Sequence, residues 1–213
     1  LFLNGDTVVA SGLRLQSLRT TATLAGNDTG GLQLRATGAG GTQLWLGGTL
    51  AFRGDSTLIH ADSLRLQTAL HAWQLQAPAS LFASSGGFRL DTISLVASEQ
   101  SRIVFAGGIP SEGPIDFSLR GRDVPMLDVA ELLQVKDLGS GRFDVSGQLS
   151  GTRSAPAFDA EGELRSGLIG GVRLDTLRTR IRAVSDRVDL RFALGAAQRP
   201  RLTAEAALPL RLN

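Results

Sequence analysis

The sequence predicts an all-β chain whose strands stack into one elongated sheet, interrupted by one short helix. Three observations lead there. Apolar and polar residues alternate with period two along most of the 213 residues. Glycine-rich breaks separate the alternating runs, with 26 Gly against 7 Pro. One signature near the start of the chain returns near its end, as in quasi-one-dimensional stacks.

The alternation opens at Leu13-Arg14-Leu15-Gln16. It continues through Leu32-Gln33-Leu34-Arg35, Leu44-Trp45-Leu46 and Leu64-Arg65-Leu66-Gln67. Phe88-Arg89-Leu90-Asp91, Ile115-Asp116-Phe117-Ser118-Leu119-Arg120 and Arg142-Phe143-Asp144-Val145 follow. Val172-Arg173-Leu174-Asp175 and Val188-Asp189-Leu190-Arg191-Phe192 close the series. Each run puts apolar side chains on one face and polar ones on the other. That describes an antiparallel or solenoidal sheet with one wet face, since buried parallel strands are apolar on both sides.

Turns are read at Gly26-Asn27-Asp28, Gly38-Ala39-Gly40-Gly41, Gly47-Gly48, Gly54-Asp55, Gly86-Gly87, Gly107-Gly108, Gly139-Ser140-Gly141 and Gly170-Gly171. Together the signals give roughly sixteen strands of about four to eight residues. The Leu/Arg/Gly composition, with no Cys-Trp-Cys spacing, lacks the marks of an immunoglobulin-type sandwich.

The segment from Asp123 to Leu133 breaks the pattern and predicts a helix near 124–133. Asp123 is placed to cap it, and Pro125 sits early, where a missing N–H costs nothing. Val129 and Leu133 share a face, as do Met126 and Ala130. Two to three turns are not stable alone, so the helix must pack on the sheet. It reads as an edge plug or connector, with a gating or ligand-sensing element as the alternative.

Gly12-Leu13-Arg14-Leu15-Gln16-Ser17-Leu18-Arg19-Thr20 returns as Gly171-Val172-Arg173-Leu174-Asp175-Thr176-Leu177-Arg178-Thr179, about 160 residues further on. The chain therefore reads as one continuous repetitive domain over 1–213, with a repeat boundary near 165–171. It opens on Leu1-Phe2-Leu3-Asn4-Gly5 with no basic, apolar leader, and is expected to be an excerpt of a longer polypeptide. Any anchoring segment would then lie outside it.

The charge balance is nearly even, 22 basic against 20 acidic residues. There is no basic tail or aromatic-laced basic patch for nucleic acid, and Lys136 is the sole lysine. With 0 Cys there is no disulfide, thiolate metal site or thiol nucleophile. No apolar run reaches the length of a membrane-spanning helix.

Candidate chemistry is sparse. His60 and His71 flank one strand, and a two-histidine metal site there would take Asp62 as its third ligand. Glu161 and Glu163 share a face of one strand but alternate with Gly162 and Leu164 as an ordinary wet face does. Gly141, Gly147 and Gly151 space a hairpin and have no phosphate-loop lysine after them. Arginines from Arg173 to Arg191 are interrupted by Asp175, Asp186 and Asp189, as on a solvated surface. No catalytic, cofactor or metal residue is assigned, and the expected reading is not an enzyme.

The apolar face is the informative one. Its candidate lumen residues are Leu34, Phe88, Leu90, Ile103, Phe105, Phe117, Phe143, Val145, Leu174 and Leu190. If the sheet curls into an open groove, this wall has almost no polar group with which to select a polar ligand. It suits acyl chains, at about 0.8 kcal/mol per buried CH₂. Periodicity alone fits a closed core filled by the protein's own side chains equally well.

Residues 139–164 carry a resemblance. A glycine-bounded strand is followed by G-x-L-x-G-T, then A-P, then a strand ending in G-x-L; Gly147, Leu149, Gly151, Thr152, Ala155, Pro156, Gly162 and Leu164 fill these places. This unit resembles the recurring unit of the TamB family (translocation and assembly module subunit) of the AsmA-like superfamily. The stretches on either side also look like the family, so that the resemblance runs from Ala72 to Leu194. The resemblance implies an elongated, curled β-sheet forming an open hydrophobic groove. It further implies the periplasm of a diderm bacterium, an inner-membrane anchor outside this segment and an outer-membrane Omp85-type barrel as partner. The expected function is conduction of phospholipid between the two membranes, in support of outer-membrane biogenesis. The alternative is a protein-binding module that assists outer-membrane protein or autotransporter assembly by strand addition. An adhesin-type β-solenoid would show shorter, more regular repeats, and a carbohydrate-cleaving enzyme would want clustered carboxylates and exposed aromatics.

Overall fold

The alternating runs fold as strands that pair with their neighbours in sequence, antiparallel throughout. The computed structural model describes residues 2–10, 13–25, 28–38, 41–135, 139–184, 187–196 and 199–209. The turn readings at Gly26-Asn27 and Ala39-Gly40, the repeat position Gly12, and Lys136 and Asp186 lie outside the described residues.

In chain order the elements are β1 (Phe2–Ala10), β2 (Leu13–Ala25), β3 (Thr29–Gly38), β4 (Gln43–Arg53), β5 (Ser56–Gln67), β6 (Ala72–Leu75), β7 (Ala79–Ser84), β8 (Gly87–Val96), β9 (Arg102–Pro110), β10 (Asp116–Pro125), α1 (Met126–Leu133), β11 (Ser140–Thr152), β12 (Ala155–Ile169), β13 (Val172–Val184), β14 (Arg187–Ala196) and β15 (Arg199–Pro209). Among the described residues these form one sheet of 15 strands in sequence order. β6 and β7 share a single place between β5 and β8, each pairing with a different end of both neighbours. The break between them falls at Gln76-Ala77-Pro78, where proline has no N–H to offer a ladder. The fold is thus all-β, an elongated curled sheet with one short helix.

Many strands are longer than the turn signals predicted, up to the 15 residues of β12. Two expected turns are strand interior. Gly47-Gly48 lies inside β4 and Gly107-Gly108 inside β9. At Gly48 a Cβ would strike the His60 carbonyl, and at Gly107 it would strike the Asp116 carbonyl. These glycines serve close backbone approach rather than chain reversal. The turns at Gly54-Asp55 and Gly170-Gly171 are real reversals. The recurring signature falls on β2 and β13, both 13 residues long, and each is followed by a strand of 10.

The helix is shorter than expected and starts after Pro125, which makes no side-chain cap. Asp123 does not cap it. Its φ of 50° turns the residue aside, and its carboxylate pairs with Arg142 at 2.6 Å.

Curling is visible in one contact. Thr42, just before β4, donates its hydroxyl to Glu131 of α1 at 2.7 Å. Five strand steps separate β4 from β10, where α1 begins. Laid flat, those steps span about 24 Å. The helix rises only about 9 Å between Pro125 and Glu131. The sheet therefore bends toward the helix. In the bend sits a core of Trp73, Leu95 and Val124, with Leu66, Ile103, Phe105, Val129 and Phe143 packed on it.

Candidate functional site

Directly opposed residues of an antiparallel pair project to the same side, so the register traces rows across the sheet. One row runs Leu81, Leu90, Gly107, Phe117, Leu149, Phe158. A second runs Ile93, Phe105, Leu119, Gly147, Ala160, Ile181, Leu190. A third runs Leu95, Ile103, Gly121, Val145, Gly162, Thr179, Phe192. A fourth runs Val124, Phe143, Leu164, Leu177, Leu194, Leu202. Phe88 joins the first, its ring meeting Phe117 edge-on at 6.4 Å between centroids. Leu34 lies opposite Leu46, which lies opposite Leu64 beside the Trp73 core.

Leu174 is placed differently. It pairs with Gly167, three residues beyond Leu164. A side chain at Gly167 would run into Leu164. Positions three apart share a side only through a local reversal of the pleat, and Ser166 between them has a φ of 50°.

The hairpin that carries the family-like motif has a mechanical explanation. Gly147, Leu149, Gly151 and Thr152 pair with Ala160, Phe158, Pro156 and Ala155. Gly151, at φ 84°, sits where a Cβ would meet the Ala155 carbonyl. The Thr152 hydroxyl accepts the Ala155 N–H at 3.2 Å and pins the turn. Gly162 and Leu164 continue β12 onto the third and fourth rows.

The apolar face divides into two regimes. Toward β3–β10 much of it is covered by the protein itself: Leu32, Leu95 and Ala79 are buried and Trp73 and Val124 are only 1% exposed, whereas Phe52 at the end of β4 is 40% exposed. Toward β12–β15 the same face is more open, with Phe158 and Phe192 each 38% exposed and Leu202 and Leu208 60% and 51%, although Leu164 of β12 is buried. Leu208 belongs there by register, through Val188 and Ala183 to Phe158.

The opposite face carries paired charge. Arg180 meets Glu161 at 3.0 Å and Asp159 at 3.1 Å, and Arg178 meets Glu163 at 2.8 Å. The hydrogen bond and charge of Asp159, together with Glu161, hold the Arg180 guanidinium pKa above its ordinary value. A cleft of about 570 Å³ opens on this face. Its walls are the row of Asp144, Glu163 and Arg178 and the row of Glu161, Arg180, Arg191 and Glu205. Val145, Gly162, Phe192 and Ala204 of the third row also line it, while Phe143, Leu164, Ile181 and Leu190 take no part in it. The cleft is therefore a channel between rows of long ion-paired side chains that shares Val145 and Phe192 with the third apolar row.

The histidines do not meet. His60 contacts Ser80 at 3.1 Å and Asp62 at 3.5 Å on the charged face. His71 turns to the helix, its Nδ1 3.0 Å from the buried Asp128 carboxylate. Asp128 also accepts the Trp73 indole N–H at 2.9 Å and the Thr68 hydroxyl at 2.7 Å. Sequence reasoning missed this cluster. Among the described residues no three His, Asp or Glu side chains converge on a metal position, and no helix is long and apolar enough to cross a membrane.

Compared with known proteins, the chain matches no family model, no curated protein and no solved structure. The TamB likeness thus rests on the residues from Ala72 to Leu194 alone, with its motif at 139–164.

Proposed function

We propose that this chain is a structural segment of an envelope-spanning hydrophobic groove that conducts phospholipid between the inner and outer membranes and supports outer-membrane biogenesis. The observation that carries the reading is the open end of the apolar face, where Phe158, Phe192, Leu202 and Leu208 meet solvent on one side of the sheet. Large apolar side chains exposed together mark a surface that something apolar covers. The rows offer acyl chains contact with few polar groups, Thr179 among them, that could fix them in one place, so displacement along the rows breaks few interactions. Headgroups stay in water at the rim. The segment performs no covalent chemistry in this reading. The periplasmic setting, an inner-membrane anchor elsewhere in the longer chain and an Omp85-type barrel as partner are supported by the family resemblance.

A second reading has its own observation. Among the described residues β15 pairs with β14 alone and residues 202–209 are exposed, the kind of edge to which a client strand can add. In that reading the segment assists outer-membrane protein or autotransporter assembly.

Phospholipid retained by the chain after incubation with vesicles separates the two. Phe192→Asp places an unpaired charge among acyl chains, where it is disfavoured by several kcal/mol, and retention should fall at least about tenfold. Val184, 45% exposed, lies one position off the row of Ala183 and Phe158. Val184→Asp should leave retention unchanged. Equal retention in both variants contradicts the conduit and favours strand addition.

A further inference from the structure

We propose that α1 is a latched cover over the apolar face, and that its release admits acyl chains to the wall at Trp73. The proposal rests on the conduit reading and adds its regulation. The helix has 8 residues and interrupts a meander otherwise joined largely by short turns. Its grip on the far side of the bend is polar. Asp128 takes hydrogen bonds from Thr68 and Trp73 and lies against His71, while Glu131 takes the Thr42 hydroxyl and the Ala69 N–H at 2.9 Å. All of these partners come from the β3–β4 and β5–β6 ends of the sheet, remote from α1 in sequence.

A carboxylate that is 1% exposed is tolerated only while its partners are all in place. Such a tie is nearly all-or-none. When the partners part, the carboxylate regains water, and the helix is held down by few apolar contacts, those of Val129, packed on the core, and the small buried Ala130. The outward side of α1 is no more polar than its inner side, with Leu127 47% and Leu133 57% exposed. Turning it outward therefore forfeits little. Beneath it, Leu95 and Ile103 lie on the row that ends at the exposed Phe192. The cover thus sits where the closed and open parts of one apolar wall join.

The test uses Trp73 as reporter. The chain has 2 Trp and 0 Cys, so Trp45→Phe leaves Trp73 alone, and Ala69→Cys with Glu131→Cys accepts a short bis-maleimide across the latch. The probe is a phospholipid with a brominated acyl chain, which quenches a tryptophan it touches. Before cross-linking, Trp73 should be quenched; after it, in the same folded molecule, quenching should fall about tenfold, the shift expected for one charge-assisted bond made permanent. Asp128→Asn without the cysteines should raise quenching over the parent. A second reporter, Phe192→Trp with both native tryptophans replaced by Phe, reads the open end. Equal Trp73 quenching with and without the cross-link overturns the cover, as does absence of Trp73 quenching while the Phe192→Trp reporter is quenched. If neither reporter is quenched, the conduit reading fails and the cover falls with it.

Discussion

The Trp73 indole N–H donates to Asp128 Oδ2 at 2.9 Å, and both side chains are 1% exposed. The bond joins a strand in the middle of the sheet to a helix 55 residues later. It is a polar contact buried beside the apolar core of Leu95 and Val124. Asp128→Ala removes the acceptor of Trp73 and Thr68 and the carboxylate that lies against His71 together. We expect a loss of about 3 kcal/mol of unfolding free energy, read from urea denaturation. A loss near zero would mean the cluster is solvated in solution.

The turns at 54–55 and 85–86 are linked by Ser85 donating to Asp55. That bond, with a smaller contribution from Ser56, holds the Asp55 carboxyl below its ordinary pKa of 3.8. A depressed pKa stabilises the fold above the unfolded value and loses that contribution as pH falls through the folded one. Ser85→Ala should raise the Asp55 midpoint, followed by NMR titration between pH about 2 and 6. An unchanged midpoint would show that Ser85 is not its partner.

Gly107 and Gly113 both have positive φ, 108° and 94°. Only Gly107 is crowded, against the Asp116 carbonyl; Gly113 faces open space. Gly113→Ala should cost about 1–2 kcal/mol from the left-handed backbone alone. Gly107→Ala should cost clearly more, because β9 and β10 must move apart. Equal losses in thermal or urea unfolding would contradict the close approach of these strands.

Much of the sheet was legible because period two is a local property. The alternation at Phe88-Arg89-Leu90 and Arg142-Phe143-Asp144-Val145 places these residues on rows whatever the rest of the chain does. Glycine was less transparent. Gly54 and Gly107 read alike in sequence, yet one reverses the chain and the other lets two backbones touch, a difference set by the neighbouring strand. Asp123 looked like a cap because it precedes a helix; Arg142 of the next strand draws it away. The Asp128 cluster was not legible at all, since Thr68, His71 and Trp73 reach it only because the sheet bends. The same bend decides which part of the apolar face is filled and which is open, so Leu95 and Phe192 differ in exposure although they stand on one row.

The central claim is that acyl chains lie on the open apolar rows. A phospholipid bearing a photoactivatable group in its acyl chain, irradiated with the chain and mapped by peptide mass spectrometry, tests it most directly. The account predicts adducts at Phe158, Phe192, Leu202 and Leu208, with none at Val184 or Arg180. Adducts concentrated along Glu161, Arg180 and Arg191 would put lipid in the charged cleft and contradict it.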